Sequence, residues 1–164
     1  MPARLTLTSL PEKIVYKNFK PQYNISPSNN LLIIVDENNK LKLKSAFWGI
    51  QRDFSKNPLI NARSENIEQN KTFGPLVKNN RCIILADSFI EWINENNQKQ
   101  PLRIVLNDES VFGIAGIYEE VDDKLYVSLI TCNSNELLNP IHPRMPVIIE
   151  SQSWTKYLES FNSH

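Results

Sequence analysis

Short apolar runs, separated by polar pairs, set the pattern of this chain. Runs at 31–35 and 41–47 flank Asp36-Glu37-Asn38-Asn39-Lys40, which reads as a hairpin. Leu41-Lys42-Leu43-Lys44 alternates with period two, as in a strand with one wet face. Runs at 82–86, 102–106, 111–117 and 125–131 continue the strand pattern, with Asp122-Asp123 as the turn between the last two. Asn29-Asn30, Asn38-Asn39, Asn79-Asn80 and the Asn-rich stretch from Asn94 to Asn97 fall between runs and read as turns, since Asn tolerates left-handed backbone. Helical spacing is rarer. Residues 62–69 read as a short helix. Residues 153–161 read as a better one, with Trp154, Tyr157, Leu158 and Phe161 along one face and Ser151 or Ser153 as its cap. The pattern predicts one mainly β, α+β domain spanning 1–164.

Composition narrows the function. Lys+Arg and Asp+Glu are both 18, so the chain lacks the bulk charge of a protein that coats duplex DNA, while a local basic groove stays open. Cys82 and Cys132 sit in apolar runs and read as small buried hydrophobes in a reducing compartment. His142 is the only internal histidine, and His164 is taken as a solvent-exposed end. Such a set predicts no metal site, and no Gly-rich loop predicts a nucleotide cofactor. No run has the length of a signal or membrane segment, which predicts a cytoplasmic protein with no membrane partner; no amphipathic seam suggests more than a monomer.

Five segments carry candidate chemistry. Asn61-Ala62-Arg63-Ser64-Glu65 combines a carboxamide, a guanidinium able to fork onto phosphate, and a carboxylate; read alone, it fits a helix N-terminus with surface charges better. In Ser88-Phe89-Ile90-Glu91-Trp92, a carboxyl flanked by apolar residues suits general acid-base work, although alternation sets Glu91 opposite Ile90 and Trp92 and leaves open whether it points to water. In Pro140-Ile141-His142-Pro143-Arg144, two prolines stiffen the loop that holds an imidazole and a guanidinium. Tyr23-Asn24-Ile25-Ser26-Pro27 and Phe47-Trp48-Gly49-Ile50 offer aromatics for stacking on unpaired bases or for the core.

In chain order, Tyr-Asn-Ile-Ser-Pro, Trp-Gly-Ile, Asn-Ala-Arg-Ser-Glu, Arg-Cys-Ile-Ile-Leu-Ala-Asp-Ser-Phe-Ile-Glu-Trp, Phe-Gly-Ile-Ala-Gly-Ile-Tyr and Ile-His-Pro-Arg-Met-Pro resemble the SRAP (SOS response-associated peptidase) family from near the first residue to Trp154. The resemblance implies a curved, barrel-like, mainly antiparallel β core with a few short helices, and a cleft for single-stranded DNA carrying abasic sites. It implies a DNA-damage (SOS) role, covalent protein–DNA linkage, and a protease-type hydrolase activity. It places catalytic roles on Asn61, Glu91 and His142, and DNA contacts on Arg4, Asn24, Pro27, Trp48, Arg63 and Arg144. The family begins Met-Cys-Gly-Arg, and its N-terminal Cys is the nucleophile. Here the start is Met-Pro-Ala-Arg, so Pro2 takes that position without a thiol. A Pro2 amine freed by Met removal could form an iminium with an abasic aldehyde and act as a lyase. The alternative is a relative without covalent chemistry, serving as a single-strand-binding or protein-interaction module. Ser88 stands where the family usually has Gly, and the Trp-Gly-Ile-Gln-Arg segment lacks the family's usual continuation.

Overall fold

Three hairpin tips are built from Asn or Asp pairs. In the computed structural model, which describes residues 2–159, Asn38 and Asn39 have φ of 55° and 62°, Asn96 and Asn97 50° and 62°, and Asp122 and Asp123 51° and 63°. Two consecutive positive φ values belong to the two-residue turn whose twist matches the flanking strands, and Asn and Asp enter that region more readily than other side chains. In chain order the strands are β1 (Leu5–Leu7), β2 (Gln22–Ile25), β3 (Asn30–Glu37), β4 (Lys40–Trp48), β5 (Asn61–Arg63), β6 (Arg81–Ala86), β7 (Ser88–Glu95), β8 (Gln98–Ile104), β9 (Phe112–Val121), β10 (Lys124–Asn133), β11 (Arg144–Pro146) and β12 (Ile148–Ile149). Two short helices join them, α1 (Gly74–Asn79) and α2 (Trp154–Leu158). The three tips therefore close β3–β4, β7–β8 and β9–β10.

The strands β4, β3, β6, β9 and β10 form a ring. Each neighbour pair along that path is antiparallel, and the last contact, β10 against β4, is parallel, with Tyr126 opposite Phe47 and Val127 opposite Trp48. Closure removes the sheet edges and encloses the core of Leu31, Ile33, Trp48, Ile84, Ile114 and Leu129. β6 is buried from Cys82 onward, and burial pushes the Cys82 thiol up. On the outside, α2 seats Trp154 against β9, where a side chain at Gly113 would meet the indole nitrogen at 2.5 Å. Tyr157 donates its hydroxyl to Gly116 O at 3.0 Å.

A second sheet, ordered β2-β1-β7-β8, grows from the first because the chain runs from β6 into β7 through a single residue, Asp87. Its carboxylate is buried and accepts three hydrogen bonds from Thr6 and Thr8. Thr6 Oγ1 donates to one oxygen, and the Thr8 amide and hydroxyl donate to the other at 2.6 Å each. Arg103 adds a longer ion pair at 3.9 Å. Ser88 shares the cluster through its hydroxyl contact with Thr6. Burial pushes the Asp87 carboxyl up, but the bonds from Thr6 and Thr8 outweigh it and the net direction is downward.

Two sequence expectations are corrected. Residues 62–69 are not a helix: Asn61–Arg63 is β5, paired in parallel with β10 at Leu129 to Thr131, and only Ile67–Gln69 winds into a 3-10 turn. The reason is the free flank of β10 beyond its contact with β4, and Asn66, whose φ of 59° interrupts helical geometry. At α2, Ser153 holds the N-cap position without a side-chain capping bond, and the helix follows a 3-10 turn at Ser151–Ser153. Trp154 and Leu158 are buried on its inner face. Phe161, His164 and Met1 lie outside the described residues.

Replacing Asp87 by Ala leaves two hydroxyls and an amide without their acceptor. The expected loss is about 2–4 kcal/mol of unfolding free energy in a urea titration. Gly49 has φ 137°, and a Cβ there would meet Pro58 Cβ at 2.6 Å. Gly49→Ala is expected to cost about 1–3 kcal/mol in the same measurement.

Candidate functional site

Two groups of predicted residues come together on different strand pairs. The first is at the start of the chain. Leu5 pairs with Phe89 and Thr6 with Ser88, and the Ile90 amide donates to Arg4 O at 3.1 Å. Continued past Arg4, the same register would set Ala3 against Glu91 and Pro2 against Trp92. Alternation then puts Glu91 on the Leu5–Phe89 side and Trp92 on the Arg4 side. Burial agrees: Glu91 is 4% exposed and Trp92 50%. Glu91 is thus an inward-facing carboxylate beside the first residues, and Pro2 is buried.

The second group lines the far half of β10. β5 pairs along one flank, with Asn61 opposite Leu129 and Arg63 opposite Thr131; β11 pairs along the other, with Met145 opposite Cys132 and Arg144 opposite Asn133. Arg63 is exposed and Asn61 half-buried. Arg144 clamps the two flanks together. Its guanidinium donates to both oxygens of Glu65 at 2.8 and 3.0 Å, to Asn133 Oδ1 at 2.9 Å, and to Thr131 O at 2.9 Å. Bonds from Arg144, and then from its own backbone, hold the Glu65 carboxyl well below the usual range, at about 2.

His142 depends on the same residue. The Arg144 amide donates to His142 Nδ1 at 3.0 Å. An amide aimed at Nδ1 requires a lone pair there, so the neutral ring carries its proton on Nε2. A protonated ring can instead donate from Nδ1 to Arg144 O, 3.2 Å away. The imidazole therefore has a partner in either protonation state, which suits a group that passes protons.

Trp48 joins the parts, and this corrects the stacking role expected of it. The side chain is 0% exposed. Its indole nitrogen donates to Ile60 O at 3.1 Å, next to Asn61. Its own amide and carbonyl bond Asn29 and Ser28 at 3.0 and 3.1 Å. No face is open to a base. The same turn holds Pro27, half-buried, and follows Asn24, which is exposed on β2. Arg144 is corrected likewise: at 7% exposure its guanidinium is committed to Glu65, Thr131 and Asn133 and is not presented to a phosphate. Among the described residues the open aromatics include Tyr23, which the sequence offered for stacking, and Phe54 and Trp92, which it gave no separate role; they are 71%, 73% and 50% exposed. The signal for Trp92 was its alternation with Glu91, which becomes informative once the buried side is known. Among the described residues, no three His, Cys, Asp or Glu side chains cluster to hold a metal, and no helix is long and apolar enough to cross a membrane.

The family model for SOS response associated peptidase (SRAP) matches residues 4–164. The chain belongs to the SRAP family. Abasic site processing protein YoqW of Bacillus subtilis (strain 168) is 35% identical over 156 residues, covering 88% of this chain and 70% of its own length. Abasic site processing protein YedK of Escherichia coli (strain K12) is 30% identical over 142 residues, covering 84% of this chain and 64% of its own. A solved protein from Bacteroides thetaiotaomicron superposes with a TM-score of 0.73 at 25% identity, over 89% of this chain and 70% of that one. A phage-related protein from Bordetella bronchiseptica, 24% identical, shares the SRAP fold with a TM-score of 0.76 over 95% of this chain and 81% of its own.

The Glu65–Arg144 pair makes a prediction with a definite sign. A carboxyl depressed on folding stabilises above its unfolded pKa, about 4.3, and that contribution disappears as pH falls through the folded value of about 2. In urea titrations the stability advantage of the wild type over Glu65→Gln is expected to be full at pH 6 and to shrink steadily between these two values. A constant difference across that window would refute the pairing.

Proposed function

We propose that this SRAP domain binds single-stranded DNA and processes abasic sites, with Pro2 as the reacting amine. The observation that carries the reading is the inward-facing Glu91 set beside the first residues of the chain. The names of the relatives, abasic site processing proteins, supply the substrate class. Arg4 and Arg63 take phosphates, and Asn24 and Pro27 contact the strand. Arg144 positions His142.

The chemistry follows once Met1 is removed. The Pro2 nitrogen, in its neutral form, attacks C1′ of the ring-opened abasic sugar. A C–N bond forms and water leaves, giving an iminium. Glu91 or His142 takes a proton from C2′, and the electron pair expels the 3′ phosphate as the C3′–O bond breaks. Water then hydrolyses the iminium and frees the amine. Asn61 orients the sugar through its amide. The attack needs the neutral amine, and an α-amino group ordinarily titrates at about 7.7–8.0. The peptidase activity in the family's description receives no nucleophile from Pro2, which has no thiol. The domain acts in this reading as a cytoplasmic monomer in the response to DNA damage.

A second reading keeps the grip on DNA without covalent chemistry, and the burial of Pro2 favours it. Intact mass separates the two. Met-free protein is incubated with single-stranded DNA bearing one abasic site, with and without borohydride. The lyase predicts cleaved DNA and an adduct only with borohydride. Binding with no adduct in either sample assigns the domain the second role.

A further inference from the structure

The outer face of the β7–β8 hairpin carries two basic side chains, Lys99 and Arg103, that the site above does not use. In this pairing Ile90 lies opposite Arg103, Trp92 opposite Pro101 and Asn94 opposite Lys99. All six share one face, the one that bears Trp92, because partners across an antiparallel pair point the same way. The hairpin's acids, Glu91 and Glu95, alternate to the other face. Pro101, Lys99, Arg103 and Asn94 are exposed, and β8 is the edge of its sheet.

The charges near Arg103 are weak competitors. Glu109 reaches it at 3.5 Å across an exposed pair, which water and salt largely screen. Asp87 lies at 3.9 Å but is already bonded by Thr6 and Thr8. Lys99 and Arg103 are four residues apart, about 13 Å along an extended strand. Trp92 and Pro101 make an apolar step midway between them. This arrangement offers a flat surface for one base and a cation on either side for the phosphates flanking it.

We propose that the edge strand β8 is a phosphate-binding extension of the DNA surface, with Lys99 and Arg103 gripping two phosphates of the strand that leaves the Pro2–Glu91 end. The inference rests on the single-strand-binding reading above and adds a subsite to it. It predicts that affinity grows with strand length beyond the nucleotides at the site itself.

The test is fluorescence anisotropy with abasic-analogue oligonucleotides of about 5 and about 15 nucleotides, titrated in salt, using the full chain. Lys99→Gln/Arg103→Gln is expected to weaken the longer strand about tenfold and leave the shorter one unchanged. Losing two phosphate contacts should reduce the slope of log affinity against log salt by about 1.4, from about 0.7 per contact on a single strand. Because Arg103 also touches Asp87, Lys99→Gln alone is measured in parallel; it changes only an exposed position and should reduce the slope by about 0.7. Unchanged slope and affinity on the longer strand overturn the extension while the single-strand reading stands. No binding by the wild type at either length overturns the reading and the extension together.

Discussion

Trp48 is the residue through which the two halves of this fold communicate. Its main chain holds the turn after β2, and its indole reaches the residue before Asn61. Gly49, the next residue, donates its amide to Val127 O at 2.9 Å and so fastens the end of β4 to β10. A buried indole needs a partner for its one N–H, and Ile60 O supplies it. An aromatic that could have been spent on contact with DNA is instead the pin between the second sheet and the barrel. The exposed aromatics, Trp92, Tyr23 and Phe54, lie elsewhere in the chain.

The site inherits its geometry from β10. Beyond Val127 this strand leaves β4 and accepts β5, while on its other flank β9 gives way to β11. Asn61, Arg63, His142 and Arg144 therefore reach one neighbourhood from segments eighty residues apart, with no helix involved. Arg144 shows how the buried charge is accommodated. Its guanidinium meets a carboxylate, an amide oxygen, a hydroxyl and a carbonyl, so its desolvation is offset by several charge-assisted bonds. The zero net charge of the chain conceals this division of labour. Some cations are spent internally on structure, and others, such as Arg63 and Lys99, face outward.

What could be read from the sequence divides along the range of the interactions. The β3–β4 and β9–β10 hairpins were legible because Asn38-Asn39 and Asp122-Asp123 declare their turns locally. The strand after Asp87 was legible as a pattern, but the side Glu91 faces was not. That depends on β1 packing across it, and the short Leu5–Leu7 run carries little period of its own. Residues 62–69 misled because a three-residue parallel strand leaves no local mark; its partner lies beyond residue 128. Trp48 and Arg144 misled for the same reason, since an aromatic or a guanidinium announces its chemistry and not its neighbours. The family likeness, which spans the chain, was legible from motif order alone, and it carried the fold with it.

β10 touches four other strands, and all but the last of them precede it in the chain. During synthesis, β4, β5 and β9 must wait with unpaired flanks until residues 124–133 have emerged. Their hydrogen-bonding edges are then exposed to other nascent chains, with only the β3 and β6 contacts as shelter. Closing the ring is a late, long-range event, of the kind that folds slowly. A chain cut short before Lys124 would hold most of the apolar residues of the core, but of the neighbourhood around His142 only the Asn61, Arg63 and Glu65 side, without the strand that places it. The candidate site and the completed barrel thus arrive together, and a molecule that has not finished folding does not present it.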